Sequence, residues 1–145
     1  MTTSLPHRRR LLCRSVSIAS LVALSLMGCA SVPGHGAKTQ EALLQRATAY
    51  WQAMKDNDRV TAWGYEELSK KPDWTLQGYL KRGGLVYDEV KVLSAGAIEG
   101  DRAAVHVKMT YSVPAVRVKN ITAERQDQWI WIDGQWYHAD RPAVQ

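Results

Sequence analysis

From Leu11 to Met27 the chain is apolar or small apart from Arg14 and scattered serines, and this run follows the basic stretch His7-Arg8-Arg9-Arg10. A membrane-spanning helix needs about 20 predominantly apolar residues. The shorter, interrupted run reads instead as the n- and h-regions of a secretory signal over residues 1–28. Residues 29–37, small and rich in Pro and Gly, have the composition of a flexible tether. From Lys38 the pattern turns helical: Leu43, Leu44, Ala47, Tyr50, Trp51 and Met54 recur at spacings of three and four, which predicts one long amphipathic helix over 38–55. Asp56-Asn57-Asp58 breaks the stripe. Asp58 is suited to cap a second helix presenting Val60, Trp63 and Leu68, which Pro72 would stop. Asp73 or Thr75 can cap a short third helix with Leu76, Tyr79 and Leu80 on one face, closed by Gly83-Gly84.

After Gly84 the period falls to two, the signature of strands. With Gly100-Asp101 as a hairpin turn, Glu99 faces Arg102, Ser94 faces Val107, Val92 faces Met109 and Val90 faces Tyr111. The reverse face then pairs Ala95 with His106, Lys91 with Thr110 and Glu89 with Ser112. A second hairpin turns at Asp133-Gly134 and sets Trp131 opposite Trp136, Trp129 opposite His138 and Ile130 opposite Tyr137. Pro114 to Asn120 supplies the turn between the hairpins. The expected class is α+β, with one domain over 38–145: a long helix and two short helices packed on an antiparallel sheet of about four strands. Leu43, Ala47, Trp51 and Met54 should face Val90, Val92, Val107 and Met109.

Composition changes the picture once the signal is set aside. The formal net charge is +5, but four of the nineteen basic side chains (Arg8, Arg9, Arg10 and Arg14) lie in residues 1–28, leaving fifteen against fourteen acidic ones. That near-neutral balance implies no basic face, and nucleic acid is not expected as a partner. Cys13 falls within the signal, so Cys29 is the one cysteine left and no disulfide is expected. Six Trp and six Tyr stand beside no Phe, and every Trp follows the signal.

Leu26-Met27-Gly28-Cys29 resembles the lipobox of bacterial lipoproteins, in which an apolar residue and a small one precede a cysteine that receives diacylglycerol. The resemblance implies cleavage before Cys29, a lipid anchor there, and Ala30 beside it favours the periplasmic face of the outer membrane. A second resemblance spans residues 38–140. Tyr50-Trp51-Gln52-Ala53-Met54 through Asp58, Ala62-Trp63, Leu68-Ser69, and the closing Trp129-Ile130-Trp131-Ile132-Asp133-Gly134-Gln135-Trp136-Tyr137 are similar to the nuclear transport factor 2-like superfamily. That likeness implies a cone, a strongly curved sheet wrapped round the long helix with a pocket between them. The superfamily holds isomerases, cyclases, dehydratases, transport factors and lipoproteins, so fold leaves the chemistry open.

Candidate chemistry is sparse. Ser69, Ser94 and Ser112 sit in no nucleophile-elbow sequence. His35, His106 and His138 are too few and too scattered for a zinc site, so neither metal nor cofactor is expected. His106 belongs to the solvent face of the first hairpin. The face of the final hairpin that carries His138 also carries Trp129, Trp131 and Trp136, and farther back Asp127 and Arg125. The rings read either as core, with Arg125 and Asp127 a solvated strand end, or as walls of a pocket for a small apolar ligand. The resemblance implies that an enzyme of this fold would place an Asp or His base inside the cone, with a Tyr on the long helix. Asp88, in phase with Val90 and Val92, and Tyr50 are the matching residue types, yet no catalytic motif aligns onto them and no catalytic role follows.

Two function classes lead: a non-enzymatic binding or assembly module, held to the membrane by its lipid and meeting an envelope protein or a small apolar ligand, and an isomerase- or dehydratase-like enzyme using Asp88 or His138 as base; a merely structural envelope role is a weaker third. The module is preferred, because an active site should show a fuller acid–base set at interior positions. Labelled palmitate should mark the protein, and Cys29→Ser should abolish the label. A processed N-terminus elsewhere than Cys29 would overturn the anchor.

Overall fold

The computed structural model describes residues 36–139. The expected signal at 1–28, Cys29 and most of the tether lie outside the described residues, as does the chain after Ala139. Helix α1 runs Gln40–Lys55, and Thr39 caps it by accepting from the Ala42 amide at 3.2 Å. Asn57, at φ 57°, takes the left-handed turn that ends it. Asp58 then caps α2, Arg59–Trp63, accepting from Thr61 N at 3.0 Å. Thr75 rather than Asp73 caps α3, Leu76–Leu80.

The second helix departs from expectation. It stops at Trp63; Gly64 to Glu66 leave the helix, and Leu68 lies in a separate 3-10 turn at Glu67–Lys70. Ala62 is buried in place of Val60, which is 59% exposed. The break has a tertiary cause. The backbone at Glu66 is extended and bridges His138, whose amide donates to the Tyr65 carbonyl at 2.7 Å.

Four strands follow, β1 (Val86–Glu99), β2 (Arg102–Val113), β3 (Val118–Ile132) and β4 (Gln135–His138), forming a curved antiparallel sheet in sequence order. Both turns are the expected ones. Gly100 has φ 58°, the positive angle needed at the first central position of a type II′ turn. Asp133 (φ 48°) and Gly134 (φ 80°) both lie in the positive region of a type I′ turn. The second hairpin pairs Trp129 with His138, Ile130 with Tyr137 and Trp131 with Trp136, as read from the sequence.

The first hairpin keeps Glu99 opposite Arg102 but then slips. Val92 meets Val107 and Val90 meets Met109, each two residues from the pairing that a regular ladder would give. Three register shifts, near Asp88, Leu93 and Gly96-Ala97, set the fourteen residues of β1 against the shorter Arg102–Ser112. Each added residue bends the strand and inverts its face. Tyr87, Val90, Val92, Ala95 and Ile98 therefore all belong to the core side, at spacings of two and three.

The core joins Leu43, Ala47, Trp51 and Met54 of α1 to Val107 and Met109 of β2, with Val90 and Val92 packed against them. Leu44, expected on the buried stripe, is half-buried, and Ala53 takes a buried place. Arg46 ties α1 to the last hairpin: its guanidinium donates to the Trp136 and Gly64 carbonyls and lies between the rings of Tyr65 and Tyr137. Trp51 is 1% exposed. Trp51→Ala should destabilise by about 3–5 kcal/mol in urea unfolding, and a loss below about 1 kcal/mol would contradict its place in the core.

Candidate functional site

Beside the core aromatics, two carboxylates and one histidine meet. Glu66 and Asp127 are 6% and 1% exposed, and the His138 imidazole lies between them. Nδ1 of His138 is 3.1 Å from Glu66 Oε2, and Nε2 is 3.7 Å from Asp127 Oδ2. Tyr50 and Tyr79 donate their hydroxyls to Glu66 Oε1 at 2.8 and 3.1 Å. The Trp51 indole N–H donates to Asp127 Oδ2 at 2.8 Å. Arg125 Nε makes a close ion contact of 2.7 Å with Asp127 Oδ1, off the alignment of a full hydrogen bond. The Tyr50 ring stacks on His138 with centroids 4.5 Å apart, and Trp129 meets the imidazole edge-on.

Each element contributes for a local reason. Tyr50 and Trp51 share the inner stripe of α1. The interrupted α2 delivers Glu66. Alternation along β3 puts Arg125, Asp127 and Trp129 on one face, and the Asp133-Gly134 turn brings His138 back opposite Trp129.

The electrostatics follow from this packing. Burial alone would lower the His138 pKa, but hydrogen bonding and charge from Asp127 and Glu66 outweigh it and hold the imidazolium up to about 9. Burial alone would raise both carboxyls; hydrogen bonding to His138 and its charge keep each below its ordinary value. Tyr50 is raised well above 10, first by burial and then by the Glu66 charge, and Tyr79 is pushed up to about 12 by the same pair of causes. At neutral pH the group is an imidazolium flanked by two carboxylates, with the phenols protonated.

A cavity of about 370 Å³ opens beside this cluster. Glu66, Tyr79, Arg125 and His138 form its polar wall, with Arg59 and Arg82 nearby and Met54, Leu85 and Val113 as apolar surface. Of the residues singled out in the sequence, Tyr50 and His138 converge. Trp129 and Trp136 are core rings, Trp131 is half-buried against Trp136, and none of the three lines the cavity.

Asp88 does not enter the cavity. The register shift beside it turns Tyr87 inward, and Asp88 lies exposed, accepting from the Ser112 hydroxyl at 2.9 Å. Asp127 is buried behind the cavity wall and Arg125 is half-buried against it, so the pair is not the solvated strand end that one reading of the sequence expected. Glu66 was missed. In a continuous second helix it falls off the Val60-Trp63-Leu68 face, and the only local signal against that helix is Gly64.

Stability should track these ionisations. The raised His138 contributes stability that is complete below its unfolded value of 6.5 and is lost as pH rises through about 9. The depressed Glu66 and Asp127 contribute above their unfolded values of 4.5 and 3.8 and lose it on acidification. Unfolding midpoints should therefore peak at about pH 5–6.5 and fall toward pH 9, before the tyrosines begin to ionise. A profile flat from pH 6 to 9 would show that His138 is not held as the imidazolium.

No protein-family model matches the chain, and no curated protein matches it. Among solved structures, the chain is similar to a SEC-C motif-containing protein from Rhodopseudomonas palustris, at 16% identity and a TM-score of 0.46, over 73% of this chain and 80% of that one. It is also similar to a Campylobacter jejuni protein proposed to be a nuclear transport factor 2-like transpeptidase, at 14% identity and a TM-score of 0.45, over 67% of this chain and 96% of that one. Neither likeness is close enough to carry fold or activity across to this chain.

Proposed function

We propose that the chain is a lipid-anchored envelope lipoprotein whose domain, a nuclear transport factor 2-like cone, serves as a non-enzymatic binding module with a small pocket. The cone reading is supported by the helix-first order, the four-stranded meander and the bulges that bend β1 over α1. The anchor reading rests on Leu26-Met27-Gly28-Cys29, and the outer-membrane reading on Ala30 beside it.

One observation carries the module over the enzyme: His138, the histidine at the cavity, is already engaged by carboxylates at both ring nitrogens. An imidazolium in that position has no lone pair with which to abstract a proton. A general base must also reach the proton it removes and titrate near the working pH, and both carboxylates are held ionised by buried donors and low in proton affinity. The cluster thus braces the cavity wall.

A second reading keeps some support, because Glu66 and His138 both line the cavity. As an isomerase or dehydratase the site would use His138 as a proton donor and not as the base. A panel of small hydroxy and carbonyl compounds separates the two readings. The module reading expects no turnover above buffer and a ligand-dependent rise in unfolding temperature, about 2.7 kcal/mol of added stability at a hundred times Kd. Turnover that disappears in His138→Gln, with the fold retained, would give the site to the enzyme.

A further inference from the structure

We infer that the cavity takes a small, neutral and largely apolar ligand, such as a ketone or an alcohol, whose one oxygen is held by the hydroxyl of Tyr87. The inference rests on the binding-module reading and names the ligand class of that same cavity, together with the residue that selects it.

The charged groups of the cavity wall are already engaged within the protein. Glu66 accepts from Tyr50 and Tyr79 and pairs with His138. His138 also faces Asp127, and Arg125 contacts that same carboxylate. Arg59 lies 4.7 Å over the Tyr79 ring and hydrogen-bonds its hydroxyl, and Arg82 rests on the Trp74 ring among other contacts. An ionised ligand would give up its water to meet partners that are already taken, which is costly for a charge and far less so for a neutral group.

Tyr87 differs from these groups. The register shift beside Asp88 turns it inward, where it lines the cavity and is 8% exposed. Its ring packs edge-on against Trp51 at 5.2 Å and tilted against Tyr111 at 6.3 Å, so its neighbours fix the position of the phenol. The hydroxyl has no hydrogen-bond partner among the described residues, yet it is not one of the polar atoms sealed from solvent. The cavity is the space it meets. Polar groups this deep are nearly always paired, so the hydroxyl is matched to a group that enters from the cavity. Burial, the largest cause, raises the phenol above 10. At neutral pH it therefore stays protonated, able both to donate and to accept.

Size and lining set the rest of the ligand. At about 370 Å³ the space is near the lower end for small-molecule sites, which run from roughly 300 to 1,000 Å³. Met54, Leu85, Val113 and Ala115 give it apolar surface, which favours a compact hydrocarbon body. Sites of this kind orient a mostly apolar ligand through a few polar groups, and the Tyr87 hydroxyl is placed to be that group.

A chemical-shift titration of the full chain, with the Met54 methyl group as reporter, tests this using probes that share one six-membered ring: cyclohexanone, cyclohexanol, methylenecyclohexane, cyclohexanecarboxylate and cyclohexylamine. Cyclohexanone or cyclohexanol should bind about three- to tenfold more tightly than methylenecyclohexane, the worth of one net hydrogen bond, and more tightly than either ion. Tyr87→Phe, which keeps the ring against Trp51, should erase the preference for the oxygen and leave methylenecyclohexane binding unchanged. Tyr111→Phe, whose ring packs on Tyr87 but does not line the cavity, should keep the preference. A preference that survives Tyr87→Phe, or that Tyr111→Phe removes as well, would overturn the role of the hydroxyl. So would equal binding of cyclohexanone and methylenecyclohexane, and in each case the binding module would stand. Tighter binding of the carboxylate or the amine would overturn the neutral ligand. If none of the five binds, the ligand class and the module reading fall together.

Discussion

The imidazolium of His138 between two buried carboxylates is the constraint on which the remainder of this structure depends. An ionised carboxylate away from water is expensive, and two of them near one another more so. Glu66 and Asp127 are tolerated because one cation stands between them and aromatic donors from α1 and α3 take the remaining lone pairs. Those requirements reach into every layer. They explain why the chain leaves the helix at Gly64, why α1 carries Tyr50 and Trp51 side by side, and why β4 must end in register with Trp129. Removing the histidine would leave Glu66 without its cation and Asp127 with Arg125 alone, whereas changing all the partners together to apolar groups could cost far less.

Much of the fold was legible in the sequence because its signals are local. The stripe from Leu43 to Met54, the caps at Asp58 and Thr75, and the Gly100-Asp101 and Asp133-Gly134 turns each work within a few residues. Register near a tight turn inherits that locality, so the short second hairpin is read correctly to its end. In the long first hairpin the error grows with distance from the turn. A bulge has no strong sequence mark, and each one shifts every residue beyond it.

The site was legible in half. Alternation placed Arg125, Asp127, Trp129 and His138 together, since period-two reading needs no knowledge of the partner helices. Asp88 was misplaced by one bulge. Glu66 was hard to see because Gly64 is the one local mark of the helix break, and the bridge that holds Glu66 inward is made with His138, far along the chain. Buried charge clusters of this kind are assembled by tertiary contact, so one member gives no hint of the others.

The chain enters the domain at a defined place. The Gly36 amide donates to the Gly134 carbonyl at 3.0 Å, Lys38 pairs with Asp101 at 2.6 Å and Gln40 donates to the Gly96 carbonyl at 2.7 Å. The entry point is thus clamped between the two hairpin ends, at the start of α1. Met54 and Tyr87, which line the cavity, lie at the other end of that helix and at the far end of β1. A helix of sixteen residues separates the two poles by about 24 Å. A pull on Gly36 would thus be borne first by the two hairpin turns and not by the helix end at Met54, which lines the cavity.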